Sequence, residues 1–373
     1  MNRKYIGLIL LALLVAACAP TPTPPAETPP GPTSTSAPTS RPSPTPSEPR
    51  TITIMTHDSF DIGEETIAAF EAAHNARVEI LKSGDAGLML NQAVLSADNP
   101  LADVLYGVDN TLMSRGLGGD IFEPYDSPLL DEIPDHLELD AEHRLLPVDY
   151  GNVCLNYDKA WFAEQDLEPP ASLEDLVEPA YEGLTVVENP ASSSPGLAFM
   201  LATIGHFGLE GEYTWLDYWT DLRANDVLVT DGWEDAYWGH FTYASDGTRP
   251  IVVSYASSPP VEIYFSEEEF EEAPTGVVVA DGSCFRQIEF VGILKGTANR
   301  DLAEAWVDFM LGTTFQEDIP LHMFMFPANE NAELPEVFAR FAIIPQNPAE
   351  VNSDAIEANR EEWVEEWTEA ALR

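Results

Sequence analysis

The sequence predicts an α/β protein built on a mostly parallel sheet. Three observations carry this. Residues 51–106 alternate β-rich runs with amphipathic stretches in the order β-α-β-α-β, the pattern of parallel strands joined by crossover helices. The same alternation continues to the C-terminus. The body from about residue 51 is long enough for one large two-lobed domain or two ordinary ones.

The elements follow in order. Residues 51–56 (TITIMT) read as a strand, and Ile67, Phe70 and Ala73 recur at helical spacing within 64–74. Residues 77–81 (RVEIL) give a second strand, 88–97 a second helix and 102–106 (ADVLY) a third strand. Further strands are expected at 145–149, 153–157, 184–187 and 251–255, with 277–280 and 284–292 as another pair. Helices are expected at 173–177, 196–207, 213–224, 235–240, 301–311, 313–319 and 353–372. The last carries Trp363 and Trp367 one turn apart, a core-packing pattern. No repeat of fixed period is visible.

The N-terminus reads as an export signal. Arg3-Lys4 precede an apolar run to Ala17, with small residues before Cys18. The run falls short of the roughly 20 apolar residues that a membrane-spanning helix needs. Val15-Ala16-Ala17-Cys18 resembles the lipobox of bacterial lipoproteins, which implies cleavage after residue 17 and acylation of Cys18. Residues 19–50 are almost entirely Pro, Thr, Ser, Ala and Glu. Such a tract cannot bury enough apolar surface to offset chain entropy, and its prolines stiffen it into a spacer.

Lys and Arg number 17 and Asp and Glu 64, a net charge of −47, which becomes −49 once cleavage removes Arg3 and Lys4. That field excludes nucleic acid and anionic headgroups as partners, and it suits a cationic ligand as well as plain solubility. With Cys18 acylated, Cys154 and Cys284 remain in an oxidising compartment, where they form either a disulfide or two buried thiols. There is no His-Glu-x-x-His metal motif and no Gly-x-Ser-x-Gly nucleophile elbow.

A colinear series of segments resembles the bacterial thiamine-binding proteins, the receptors of thiamine ABC importers. It comprises Thr56-His57-Asp58-Ser59-Phe60, then 102–110 (ADVLYGVDN), Val148-Asp149-Tyr150-Gly151 and Tyr157-Asp158-Lys159. It continues through 190–196 (PASSSPG), 231–237 (DGWEDAY) and 254–259 (SYASSP). The resemblance covers the body, about 51–373. It implies a type II periplasmic-binding-protein fold with a hinge and an interlobe ligand cleft. Lobe one would hold about 51–149 and 286–373, and lobe two about 150–285. It further implies a monomeric receptor with no cofactor and no catalysis. The permease and ATPase subunits of the importer would be its partners, and the membrane would be met only through the lipid anchor.

Thiamine presents a flat pyrimidine, a positively charged thiazolium and a hydroxyethyl tail that can be phosphorylated. Trp233, in a Gly-Trp turn, offers the aromatic face that binds cations best. Tyr255 ends a strand, where open α/β sheets place ligands, and Ala256, Ser257 and Ser258 follow it. Ser193 and Ser194 open a helix whose free N–H groups suit a hydroxyl or phosphate, although capping explains them equally. Asp85, with Ala86 beside it, would accept hydrogen bonds from the aminopyrimidine or offset the ring charge; a simple helix cap is the alternative. Asp109 and Asn110 are weaker candidates. His57 stands where the family has a Tyr and Phe324 where it has a Trp, and Val261 occupies about the place of a second aromatic after Tyr255. The aromatic cage is thus partly rebuilt. A ferric-iron receptor of the same fold is the nearest alternative, but Tyr255 has no adjacent Tyr to supply a second phenolate. A thiamine-processing enzyme is the alternative of another class.

Overall fold

A computed structural model describes residues 48–266 and 271–373. The expected signal at 1–17, Cys18, and the spacer up to residue 47 lie outside the described residues.

Among the described residues eleven strands form one sheet: β1 (Arg50–Thr56), β2 (Ala76–Lys82), β3 (Val104–Asp109), β4 (Phe122–Glu123), β5 (Leu146–Asp158), β6 (Thr185–Glu188), β7 (Leu228–Thr230), β8 (Ile251–Tyr255), β9 (Thr275–Val278), β10 (Phe285–Leu294) and β11 (Phe326–Pro327). The main order is β2-β1-β3-β10-β5-β8-β6-β7. Two parallel wings, β2-β1-β3 and β8-β6-β7, are joined through the antiparallel pairings of β10 and β5. The sheet is therefore mixed rather than mostly parallel. The wings match the expectation, because helices cover their strands. All six residues of β3 and all five of β8 are buried, as parallel strands covered on both faces must be.

The two central strands were the least legible. Residues 145–149 and 153–157 are one 13-residue strand, not two. Gly151 lies inside it as a point of close approach: a Cβ there would meet Met325 Sδ at 2.7 Å and the Tyr255 ring at 3.1 Å. The first part of β5 pairs with β10 and the last part with β8 and β9, so the strand passes from one wing to the other. β9 and β10 do not pair with each other; both pair with β5. Cys154 on β5 and Cys284, just before β10, are joined in a disulfide with 4.4 Å between their Cα atoms, stapling the crossing strands.

Helix ends carry their own logic. Asn352 Oδ1 accepts the N–H of Ala355 at 3.2 Å and starts Ser353–Leu372. Thr214 and Asp217 form a capping box at the start of Trp215–Ala224. The expected helix at 313–319 is broken into Thr313–Gln316 and Ile319–His322. The helices expected at 173–177 and 235–240 are short and tightly or loosely wound: a 3-10 helix at Glu174–Val177, and a π-helix at Ala236–His240 that continues the α-helical turn Trp233–Asp235.

The C-terminal tail departs from the division that the resemblance implied. Ser353–Leu372 packs on Trp215–Ala224, with Trp367 edge-on to Trp219 at 5.3 Å. Ahead of it, Gly282 donates to Asn347 O at 2.8 Å and Ala349 to Cys284 O at 2.7 Å. The chain beyond about residue 347 thus returns to the β6–β8 wing, where Trp367 buries against Trp219. Among the described residues no helix is long and apolar enough to cross a membrane.

Candidate functional site

A cavity of about 240 Å³ opens between the two wings. Its walls come from segments far apart in sequence: His57 after β1, Asp85 after β2, Ser194 after β6, Trp233 after β7, Tyr255 on β8 and Phe324 before β11. These six were expected from the sequence, and the fold brings them together.

Trp233 is nearly buried. Its indole stacks on Tyr237 with ring centroids 4.8 Å apart, donates from Nε1 to Ser254 Oγ at 3.0 Å and meets Phe324 edge-on at 5.8 Å. Tyr255 is held by a bond from its hydroxyl to Gln287 Oε1 at 2.8 Å. Gln287 Nε2 in turn donates to Ser194 Oγ at 2.9 Å and to Asp109. The aromatic wall is therefore fixed before any ligand arrives, which lowers the ordering cost of binding.

Phe324 has φ +62°, a region that bulky residues rarely adopt. Its carbonyl accepts the Ser257 hydroxyl, which helps hold the strained turn. Strain of this kind persists where the surroundings over-determine it, commonly at ligand clamps.

Asp85 accepts three backbone N–H groups: Ala86 at 2.7 Å, Ser194 at 3.1 Å and Trp233 at 3.1 Å. Burial pushes its carboxyl above the usual range, and those hydrogen bonds offset only part of the rise. It is a helix cap, and it also borders the cavity. His57 is buried against Gly107, where φ is +103° and a Cβ would lie 2.3 Å from the imidazole Cδ2. Only glycine gives the ring its place. Burial, with the Lys82 charge, pulls the His57 pKa down to about 4, so the ring is neutral at pH 7.

The other expected residues stand behind the wall. Ser257 is buried and bonded to the Phe324 carbonyl, and Ser258 is buried and bonded to Ser254 Oγ at 3.0 Å. Ala256 packs with the disulfide. Ala86 is buried in the helix beneath Asp85, and Ser193 is buried at a helix start. None of these five lines the cavity. Ser257 thereby holds Phe324, Ser258 acts through Ser254 on Trp233, and the Ala86 N–H holds Asp85. Asp109 and Asn110 likewise serve the strands: Asn110 bonds Arg286 O and Ile288 N.

Residues that the sequence reading passed over complete the lining. Glu289, Met323 and Met325 border it, and Glu234, Trp238 and Phe265 are exposed at the rim. Among the described residues, four carboxylates line it, Asp61, Asp85, Glu234 and Glu289, and no Lys or Arg does. Glu289 had a signal in the sequence: a lone acid inside an apolar strand run, which is where an unusual burial is worth asking about.

Residues 99–349 match a family described as bacterial extracellular solute-binding protein. The chain belongs to that family. The solute-binding protein is 30% identical over 329 residues to the thiamine-binding periplasmic protein of Salmonella typhimurium, covering 86% of this chain and 94% of that one. A solved periplasmic thiamin binding protein superposes with a TM-score of 0.77 at 26% identity, covering 88% of this chain and 99% of that one. Iron-bound HitA from Pseudomonas aeruginosa shares the fold, with a TM-score of 0.69 at 18% identity over 87% and 100% of the two chains. The solute-binding protein thus has the type II periplasmic-binding-protein fold, works outside the cytoplasm and binds a solute rather than transforming it.

Proposed function

We propose that this protein captures thiamine outside the cytoplasm and passes it to the membrane subunits of an ABC importer. The observation that carries this reading is the pairing of a fixed aromatic wall, Trp233, Tyr255 and Phe324, with four lining carboxylates and no lining Lys or Arg. A flat cationic ring matches both halves: it stacks on the aromatics and is attracted by the acids. The printed names of the curated relatives point the same way. Without a lining Lys or Arg, and with the Ser194 N–H at the helix start already donated to Asp85, the cavity favours free thiamine over its phosphates.

Cys18 carries a lipid anchor in this reading, the spacer to residue 50 holds the body away from the membrane, and the receptor is a monomer. The hinge runs through β5 and β10, near residues 149–150 and 285–286, because these strands cross between the wings. Closure about that pair grips the solute.

Mass spectrometry of the full-length protein, exported by its host and purified without denaturation, tests the ligand. A copurifying thiamine species is the expected result. A different cation of stoichiometric amount would overturn the reading. Cys18→Ser tests the anchor: the variant should leave the membrane fraction, and unchanged retention there contradicts lipidation at this residue.

A further inference from the structure

One rung of the sheet brings three carboxyl groups together. Glu289 on β10 lies opposite Asp109 on β3 and opposite Asp149 on β5. Asp109 and Asp149 are fully buried and Glu289 is 3% exposed. Like charges directly opposite on neighbouring strands repel, and in a buried site the repulsion is little screened.

The partners around this rung do not neutralise it. The Tyr106 hydroxyl, from β3, meets Asp149 and lies 3.1 Å from Glu289 Oε2. Asp109 accepts from Thr111 and Gln287, and Tyr255, from β8, bonds to the same Gln287. Asp85, ahead of helix Ala86–Leu95, is a further acid bordering the same cavity. The nearest positive influences are indirect: Lys82 acts on His57, and Arg360, from the last helix, on Asp109. Neither forms an ion pair with the rung; Arg360 pairs with Glu361. His57, after β1, sets Nε2 3.5 Å from Glu289 Oε1, beyond hydrogen-bond reach.

Two buried polar atoms are left without a partner here: Asp149 Oδ1, and His57 Nε2 on a residue that is more than nine-tenths buried and lines the cavity. Burial holds the Glu289 carboxyl well above its usual range and lifts Asp149 to about 7; the Asp149 carboxylate raises Glu289 further, while the hydrogen bond from Glu289 pulls Asp149 down, so the pair shares a proton that resides on Glu289. A proton held between Glu289 and Asp149 satisfies the orphaned oxygen and removes the repulsion. Of the three acids on the rung, only Glu289 reaches the cavity.

We propose that Glu289 is a ligand-contacting carboxyl group that selects a cationic solute, and that capture of the cation expels a proton from the Glu289–Asp149 pair. This rests on the reading of the cavity as a site for a positively charged ring. The step balances: the protonated pair and the free cation become the carboxylate–cation pair, and one proton passes to solvent. The field of the bound cation replaces the proton as the group that neutralises Glu289. A neutral solute of the same shape would leave the proton in place, so the rung discriminates by charge. Capture would then tighten as pH rises, by up to tenfold per pH unit in the window where the pair titrates.

Calorimetry on the ligand-stripped mature protein, with thiamine as titrant in buffers of different ionisation enthalpy between pH 6 and 8, reads the proton directly. The expected result is release of about one proton per thiamine bound at the lower end of that range. Glu289→Gln should bind thiamine at least tenfold more weakly and lose the proton release. Asp149→Asn should keep binding but release fewer protons, and melting curves of both variants check that they fold. Thiamine heat without proton exchange in the unmodified protein overturns this assignment alone. No heat with thiamine at any pH overturns the thiamine reading and the assignment with it.

Discussion

The carboxylate of Asp85 accepts the backbone N–H of Trp233 at 3.1 Å, reaching from the end of β2 to the turn after β7. The same carboxylate takes the Ser194 N–H at 3.1 Å, and beside it Gly87 donates to Ser192 O at 3.0 Å. One side chain therefore ties the two wings together at the cavity edge and orients the tryptophan that lines it.

Asp85→Ala removes an acceptor from three N–H groups and a charge from the cavity. Hydrogen bonds to a charged group contribute about 1.5–3 kcal/mol each, but water replaces part of that loss. The variant should lose about 2 kcal/mol of stability, bind cationic ligand at least tenfold more weakly, and show a larger radius of gyration without ligand. Unchanged melting, affinity and scattering together would show that the bridge has no functional weight.

Phe324→Gly relieves the positive φ while deleting the ring beside Trp233. Backbone strain of about 1–3 kcal/mol offsets much of the lost packing. Stability should change by less than about 1.5 kcal/mol, whereas ligand affinity should fall about tenfold or more. Equal losses in both, measured by denaturant titration and calorimetry, would mean that the ring serves only the core.

Burial raises the carboxyls of Asp109 to about 6, and of Asp149 and Glu262 to about 7. The folded state therefore holds protons that the unfolded chain releases above about pH 4. Their contribution is complete below that pH and is lost as pH rises through 6 to 7. His57, pulled down to about 4, opposes them with one proton between pH 4 and 6.5. The three acids outnumber it, and self-repulsion of the acidic surface grows in the same direction. The ligand-free protein should melt about 5 °C or more higher at pH 5 than at pH 7.5, at fixed ionic strength. A melting point that climbs with pH over this range contradicts the assignment of these buried groups.

The Cys154–Cys284 bond closes a loop across 130 residues. Loop-closure entropy sets its stabilisation at up to about 5 kcal/mol. Replacing both cysteines by Ser should lower stability by several kcal/mol, read by urea titration. A change below about 1 kcal/mol would show that the crossing of β5 and β10 is held by sheet pairing alone.

What could be read in advance divides along physical lines. The β-α-β-α-β opening was legible because its apolar periods change from two to nearly four at the element borders. The joining of β5 was not, because glycine in a strand signals a break as readily as a close approach, and only the packed Met325 and Tyr255 distinguish the two. Ser257 and Ser258 looked like ligand donors because hydroxyls after a strand often are. Their partners, Phe324 O and Ser254 Oγ, lie 67 and 4 residues away in sequence, and neither is predictable from spacing. The tail's return to the β6–β8 wing depends on Trp367 meeting Trp219, a pairing that no local pattern records.

The most direct measurement is titration of the ligand-stripped protein with free thiamine by calorimetry, beside Trp233→Ala. We expect tight one-to-one binding by the native chain and a loss of about 2 kcal/mol or more in the variant. Identical isotherms for the two proteins, or no heat from the native one, would contradict the account.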